Sequence, residues 1–178
     1  VPARYVGKGF ADYECTSKGQ AKALAVVQAF AERVLAAEQA GNLILIGGMG
    51  TGKTHLACAA VQALAAQCRP AMHINTGWIR DSWRLDAGHS TQDVMDVLAR
   101  LDLLVIDEVG GRWGTETEQI LLGDMLMQRY ERNAPTILIA NENIHGVRGC
   151  IGERAFDPRK RARGDLRLGK LPGTAGRK

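Results

Sequence analysis

The chain has 178 residues, 46% of them hydrophobic and 24% charged, which is enough for one well-buried core and a single globular domain. No apolar run approaches the length of a membrane span and no signal-peptide layout opens the chain, so a cytoplasmic protein without membrane contacts is expected. Four scattered cysteines without a C-x-x-C pair, and four equally scattered histidines, exclude zinc-ligand spacing and offer no redox motif.

Residues 1–16 lack periodicity and read as an extended lead-in. Ser17-x-x-Gln20 is a capping box that opens a helix. Leu24, Val27, Ala31, Val34 and Leu35 recur at helical spacing, and Gly41 is expected to end that helix. The apolar run Leu43–Ile46 reads as a buried parallel strand. It leads into Gly47-Gly48-Met49-Gly50-Thr51-Gly52-Lys53-Thr54, which fits the phosphate-binding pattern G-x-x-x-x-G-K-[ST] at every fixed position. His55 to Ala66 then forms a helix. Strand, loop and helix are the context this motif needs. Glycines let backbone N–H groups turn around a polyphosphate, and the helix N-terminus adds partial positive charge. Lys53 is placed to reach β- and γ-phosphates, and the Thr54 hydroxyl to bind Mg²⁺.

A second strand is predicted over 70–75, followed by a short helix capped by Asn75 or Thr76 that carries Trp78 and Trp83. Ser90 opens another helix with Val94, Val97 and Leu98 facing inward. Leu103–Ile106 is a third buried strand and ends in Asp107-Glu108. A long helix from Thr115 or Thr117 to about Glu131 carries Ile120, Leu121, Met125 and Met127 on or near its apolar face. Thr136–Ala140 is a fourth strand ending at Asn141, and two short helices follow, around 144–150 and 151–156. Strands alternating with helices give an α/β fold, a three-layer sandwich around a parallel sheet. Ligands in such sheets sit at the carboxyl ends of strands, where the loop, Asp107-Glu108 and Asn141 all fall.

Leu103–Glu108 has the form of a Walker B element. Asp107 is delivered to a magnesium ion, and Glu108 is placed to polarise an attacking water. Asn141, on a strand after the Asp-Glu strand, is placed between the two motifs to hold the water or the γ-phosphate. This order is that of hydrolytic ATPases with an added central strand.

With these residues in place the chain resembles AAA+ ATPases of the DnaC/IstB type, bacterial and phage helicase loaders and related transposition ATPases. The resemblance covers about residues 1–157. It is carried by Leu43–Thr54 with His55-Leu56-Ala57 after it, Leu101–Gly110, the strand ending at Asn141, and Gly152-Glu153-Arg154. The Gly-Glu-Arg element at this distance from Asn141 favours the loader branch. The resemblance implies ATP and Mg²⁺ as ligands, with Gly47 to His55 as the nucleotide-binding stretch and Thr54 and Asp107 at the metal. It implies Arg154 as an arginine finger acting on a neighbouring subunit, hence a homo-oligomer and a spiral assembly. It implies single-stranded DNA along segment 76–100, where Trp78, Arg80, Trp83 and Arg84 offer stacking faces and phosphate partners. A replicative helicase, or alternatively a transposase, is the implied protein partner. A nucleotide-gated adaptor with little hydrolysis is the rival of a different class.

Two departures from the family pattern stand out. The chain begins just before the ATPase core, so the N-terminal helicase-gripping domain is expected to be absent. Pro158 also follows Ala155-Phe156-Asp157 where the family carries an Arg, so no second sensor Arg is assigned, and the helical lid is expected to be reduced or absent. Residues 158–178 hold eight Lys+Arg and one Asp, whereas the rest of the chain holds fifteen Lys+Arg against eighteen Asp+Glu. The basic balance therefore belongs to a tail expected to be disordered or divergent, and a shifted reading frame after Asp157 is one origin for such an ending.

Overall fold

The computed structural model describes residues 1–84, 90–110, 115–141, 144–155 and 167–170; within these, the side chains of residues 83, 84, 144, 150, 152–155 and 167–170 are outside the description. Among the described residues five strands form one parallel sheet: β1 (Leu43–Ile46), β2 (Ala71–Asn75), β3 (Leu103–Asp107), β4 (Thr136–Ala140) and β5 (Arg167–Lys170), in the order β2-β3-β4-β1-β5. Six α-helices among the described residues accompany them: α1 (Lys18–Leu35), α2 (Lys53–Ala65), α3 (Thr76–Arg84), α4 (Thr91–Arg100), α5 (Glu116–Glu131) and α6 (Ile144–Ala155).

The layers follow from strand alternation. Leu43, Leu45, Leu103, Val105, Ile137 and Ile139 face α1 and α2 in one core cluster. Ile44, Leu104, Ile106, Leu138 and Ala140 face Ile79, Leu98, Leu122, Met125, Val147 and Ile151 in the other. Both faces of β1, β3 and β4 are therefore covered, which is why these strands read as continuous apolar runs. Continuing the alternation, Asp107 falls on the same face as Leu103 and Val105, the side where α2 begins. The three-layer α/β sandwich around a parallel sheet expected from the sequence is the observed fold.

Several details differ. The lead-in holds two short 3-10 turns, Ala3–Tyr5 and Phe10–Asp12, rather than a wholly extended chain. Helix α1 stops at Leu35, before Gly41, because Ala37 turns left-handed at φ 55°. Val97 and Ile120 are exposed, each 57%, whereas Met95, Leu98 and Ala99 face the core from α4, and Leu122, Met125 and Leu126 from α5. The two short helices expected after Asn141 are one continuous helix, α6. In the tail, expected to be disordered or divergent, Arg167–Lys170 pairs in parallel with Leu43–Ile46. Among the described residues no helix follows α6.

Candidate nucleotide site

Strand order alone brings the predicted residues together. Because β4 lies between β3 and β1, Asn141 at the end of β4 stands between the loop that follows β1 and Asp107 at the end of β3. Gly50 (φ 73°) and Gly52 (φ 89°) take left-handed backbone, which lets the loop fold back onto the start of α2. The α2 helix opens at Lys53, so its first-turn N–H groups carry no intrahelical partners and face the loop.

Lys53 is buried, and its ammonium donates to Gly47 O (2.9 Å), Gly48 O (2.8 Å) and Asn141 Oδ1 (2.9 Å). Burial pushes its pKa below the ordinary lysine value, and the Asp107 charge opposes that shift. Thr51 Oγ1 donates to Gly48 O at 2.9 Å, which closes the loop on itself. Met49 is 81% exposed at the loop's apex.

Thr54 Oγ1 donates to Asp107 Oδ2 at 2.8 Å, and His73 Nε2 lies 3.3 Å from the same oxygen. The Glu108 N–H donates to Asp107 Oδ1 at 2.8 Å. Burial alone would raise the Asp107 pKa. The hydrogen bonds from His73, Thr54 and Glu108 outweigh it and hold the carboxyl below its usual range, so Asp107 is an anion. A hydroxyl beside a carboxylate is a hard-oxygen donor pair that suits Mg²⁺, an ion that takes one or two protein oxygens and completes its shell with phosphates and water. Among the described residues no group of three or more His, Cys, Asp or Glu forms an all-protein metal cage.

Glu108 takes left-handed backbone at φ 62°, unusual for a residue with a side chain, and its side chain is exposed. Thr76 Oγ1 reaches its carbonyl at 3.4 Å, and the Val109 N–H donates to Ile139 O at 2.8 Å, so both flanks of the turn are held. Such held strain is typical of residues aimed at a ligand.

The His55 side chain is held by the lead-in segment. Its ring packs against Tyr5 and Tyr13 at centroid distances of 5.5 and 5.4 Å, and Nε2 lies 3.2 Å from Gly9 O. Of the residues expected at DNA, Trp78 is 43% exposed and Arg80 pairs with Asp81 at 3.1 Å. The side chains of Trp83, Arg84 and Arg154 lie outside the described residues; Arg154 falls in the last turn of α6. As site residues, Tyr13, Gln20 and His73 are missed by sequence reasoning. Tyr13 carries no local signal, and the signal at Gln20 is that of a helix cap. His73 shares a face of β2 with Asn75, whose register partner is Asp107, a pairing that only the structure gives.

The sequence pattern of the family described as "IstB-like ATP binding protein" matches residues 5–156. The chain belongs to that family. Among curated proteins, this IstB-like chain is 30% identical over 155 residues to the replicative helicase loader DnaC of Escherichia coli (strain K12), covering 83% of the chain and 61% of the relative. It is 26% identical over 157 residues to DnaC of Buchnera aphidicola subsp. Schizaphis graminum, covering 86% of the chain and 63% of the relative. The chain thus spans about three fifths of the length of these relatives. Among solved structures, a crystal structure of the DnaC helicase loader matches with TM-score 0.76 at 21% identity, covering 93% of this chain and 98% of that one. AMPPCP-bound DnaA from Aquifex aeolicus matches with TM-score 0.74 at 18% identity, covering 95% of this chain and 50% of that one. These structural matches carry the fold.

Proposed function

We propose that this chain is the ATPase core of a replicative helicase loader, binding Mg-ATP between the phosphate loop and Asp107 and hydrolysing it at subunit interfaces. The observation that carries the reading is the convergence of Lys53, Thr54, Asp107 and Asn141 within hydrogen-bond distance at adjoining strand ends. The relatives named replicative helicase loaders supply the biological direction.

The chemistry follows from the residues. The Lys53 ammonium, held by two loop carbonyls and Asn141, is positioned to transfer its hydrogen bonds to phosphate oxygens, which are stronger charge-assisted acceptors. Thr54 and Asp107 would hold Mg²⁺, which would supply neutralisation of the phosphate charge. Glu108, exposed and set by its left-handed backbone, orients and polarises the attacking water. Asn141 holds that water or the γ-phosphate. Arg154, from a neighbouring subunit, stabilises the charge that develops on the transferred phosphoryl group. ATP occupancy orders an oligomeric spiral on single-stranded DNA, with Trp78, Arg80, Trp83 and Arg84 along its inner side, and hydrolysis releases it.

Calorimetry with Mg-ATP tests the site. The wild type binds, and Lys53→Ala loses affinity by at least about a hundredfold, as expected when the main phosphate cation is removed. Equal affinity in the two proteins would reject the loop assignment. A pull-down against purified replicative helicase and, in parallel, a transposase separates the loader from the transposition ATPase reading. Retention of the transposase alone would replace the first reading with the second.

A further inference from the structure

The lead-in before α1 reaches the phosphate loop at one buried point. The Tyr13 hydroxyl donates to Thr51 O at 2.9 Å, 38 residues away in sequence, and Tyr13 is only 8% exposed. Gln20 Nε2 approaches the same carbonyl at the outer limit of 3.5 Å. Gln20 Oε1 in turn accepts from Thr16 N at 2.9 Å and Thr16 Oγ1 at 2.7 Å, which fixes the turn between Tyr13 and α1. The Tyr13 ring also lies against Gly52 so closely that a Cβ there would stand 2.5 Å from Cε2 and 2.8 Å from the hydroxyl oxygen. Position 52 therefore excludes a side chain twice, by its left-handed backbone and by this ring. Burial, with a smaller push from Cys15, holds the phenol above its ordinary pKa, so it remains a donor at neutral pH.

The consequence comes from peptide geometry. Thr51 C=O and Gly52 N–H belong to one planar trans unit and point in opposite directions. With the carbonyl held toward Tyr13 and the core beneath it, the Gly52 N–H must point away from that core. There it joins the first-turn N–H groups of Lys53 and Thr54, which have no intrahelical partner, on the phosphate side. We propose that Tyr13 is a positioning residue of the phosphate loop: by holding the Thr51 carbonyl inward it aims the Gly52 N–H at the polyphosphate. The inference rests on the phosphate-loop reading above and adds to it a residue from outside the motif.

Tyr13→Phe keeps the ring and removes only the donor. Calorimetry of wild type and Tyr13→Phe compares Mg-ATP with inorganic tripolyphosphate, which has no base or sugar. The expected result is a loss of about five- to tenfold for both ligands by the same factor, as for one hydrogen bond to a group that touches charge. In ¹⁵N spectra the large shift of the Gly52 amide on adding tripolyphosphate should shrink in the variant. Unchanged affinity for both ligands overturns the proposal. Loss for ATP alone overturns it too, because Tyr13 would then serve the nucleoside. A sharply lowered melting temperature with affinity and amide shift preserved overturns it as well, since the hydroxyl would serve only the fold. If the wild type binds neither ligand, the phosphate-loop reading itself fails, a result distinct from any difference between the two proteins.

Discussion

Glu108 and Asp107 are neighbours in sequence with opposite physical situations. Asp107 is buried and accepts three hydrogen bonds, whereas Glu108 is exposed on a strained backbone. The first arrangement suits a fixed anion beside a metal, and the second a carboxylate that meets water. Glu108→Gln should therefore bind Mg-ATP with affinity within about twofold of the wild type and lose phosphate release by about a hundredfold or more. Equal, slow release from both proteins would favour the nucleotide-gated adaptor instead. Cys58 offers a residue-scale test of the fold around the same helix. It lies on α2, four residues after Thr54, and burial pushes its thiol up to about 12 from 9.0. Between these values the unfolded chain releases a proton that the folded chain keeps, so stability falls as pH rises through that window. Urea melts at pH 8, 9 and 10 should show a steeper decline for the wild type than for Cys58→Ala. Parallel declines would mean that the thiol is not held in the core.

At the scale of elements, two contacts set where helices lie. Arg129 on α5 is fully buried, and its guanidinium donates to Leu98 O, Leu101 O, Pro135 O and Thr136 Oγ1, joining the end of α4 to the start of β4. Arg129→Met matches its bulk but strands those acceptors. The cost should be about 3 kcal/mol, a fall in melting temperature of about 10 °C for a chain of this size. Gly123, also on α5, lies under α6: a Cβ there would stand 2.9 Å from Ile151 O, a backbone atom that moves only with its helix. Since the last turn of α6 carries Gly152-Glu153-Arg154, Gly123→Ala should shift the proposed finger while leaving the loop alone. Oligomer-dependent hydrolysis should drop about tenfold or more with Mg-ATP affinity retained, in keeping with the sensitivity of catalysis to small misplacements. A matched loss of both would point to general unfolding. These contacts also mark what the sequence could not reveal. The strands β1, β3 and β4 were legible because two-sided burial writes a continuous apolar run, as in Leu43–Ile46 and Leu103–Ile106. Asp107, Lys53, Thr54 and Asn141 were legible because the motifs fix their places at strand ends. The edge strand Arg167–Lys170 pairs through its backbone with β1, and backbone pairing leaves no side-chain pattern to read. Ile120 and Val97 misled because an apolar residue near a core stripe need not lie within it. Tyr13 and His73 meet the site across 38 and 34 residues of sequence, contacts that no local spacing encodes.

For the whole molecule, the question is whether one subunit holds a complete site. Lys53, Thr54, Asp107, Glu108 and Asn141 gather at one end of the sheet, whereas Arg154, in the last turn of α6, is proposed to act on a neighbour. That division makes a prediction no single-chain ATPase would satisfy. Arg154→Ala keeps its own phosphate loop and water-polarising carboxylate but offers its neighbour no guanidinium. Glu108→Gln has the reverse defect. Each variant alone should hydrolyse ATP at a few per cent of the wild-type rate or less, in line with the large rate effects of arginine fingers. In a one-to-one mixture, an Arg154→Ala subunit whose site faces a Glu108→Gln neighbour recovers every group it needs. Random assembly of a head-to-tail ring or spiral makes roughly a quarter of interfaces of that kind. Phosphate release measured with single-stranded DNA should therefore rise to about a fifth of the wild-type rate on mixing, and fall away on dilution as the assembly dissociates. A mixture no more active than its parts, in a sample that sizing shows to be mixed oligomers, would place the whole reaction within one subunit and remove the reason for Arg154 to act in trans.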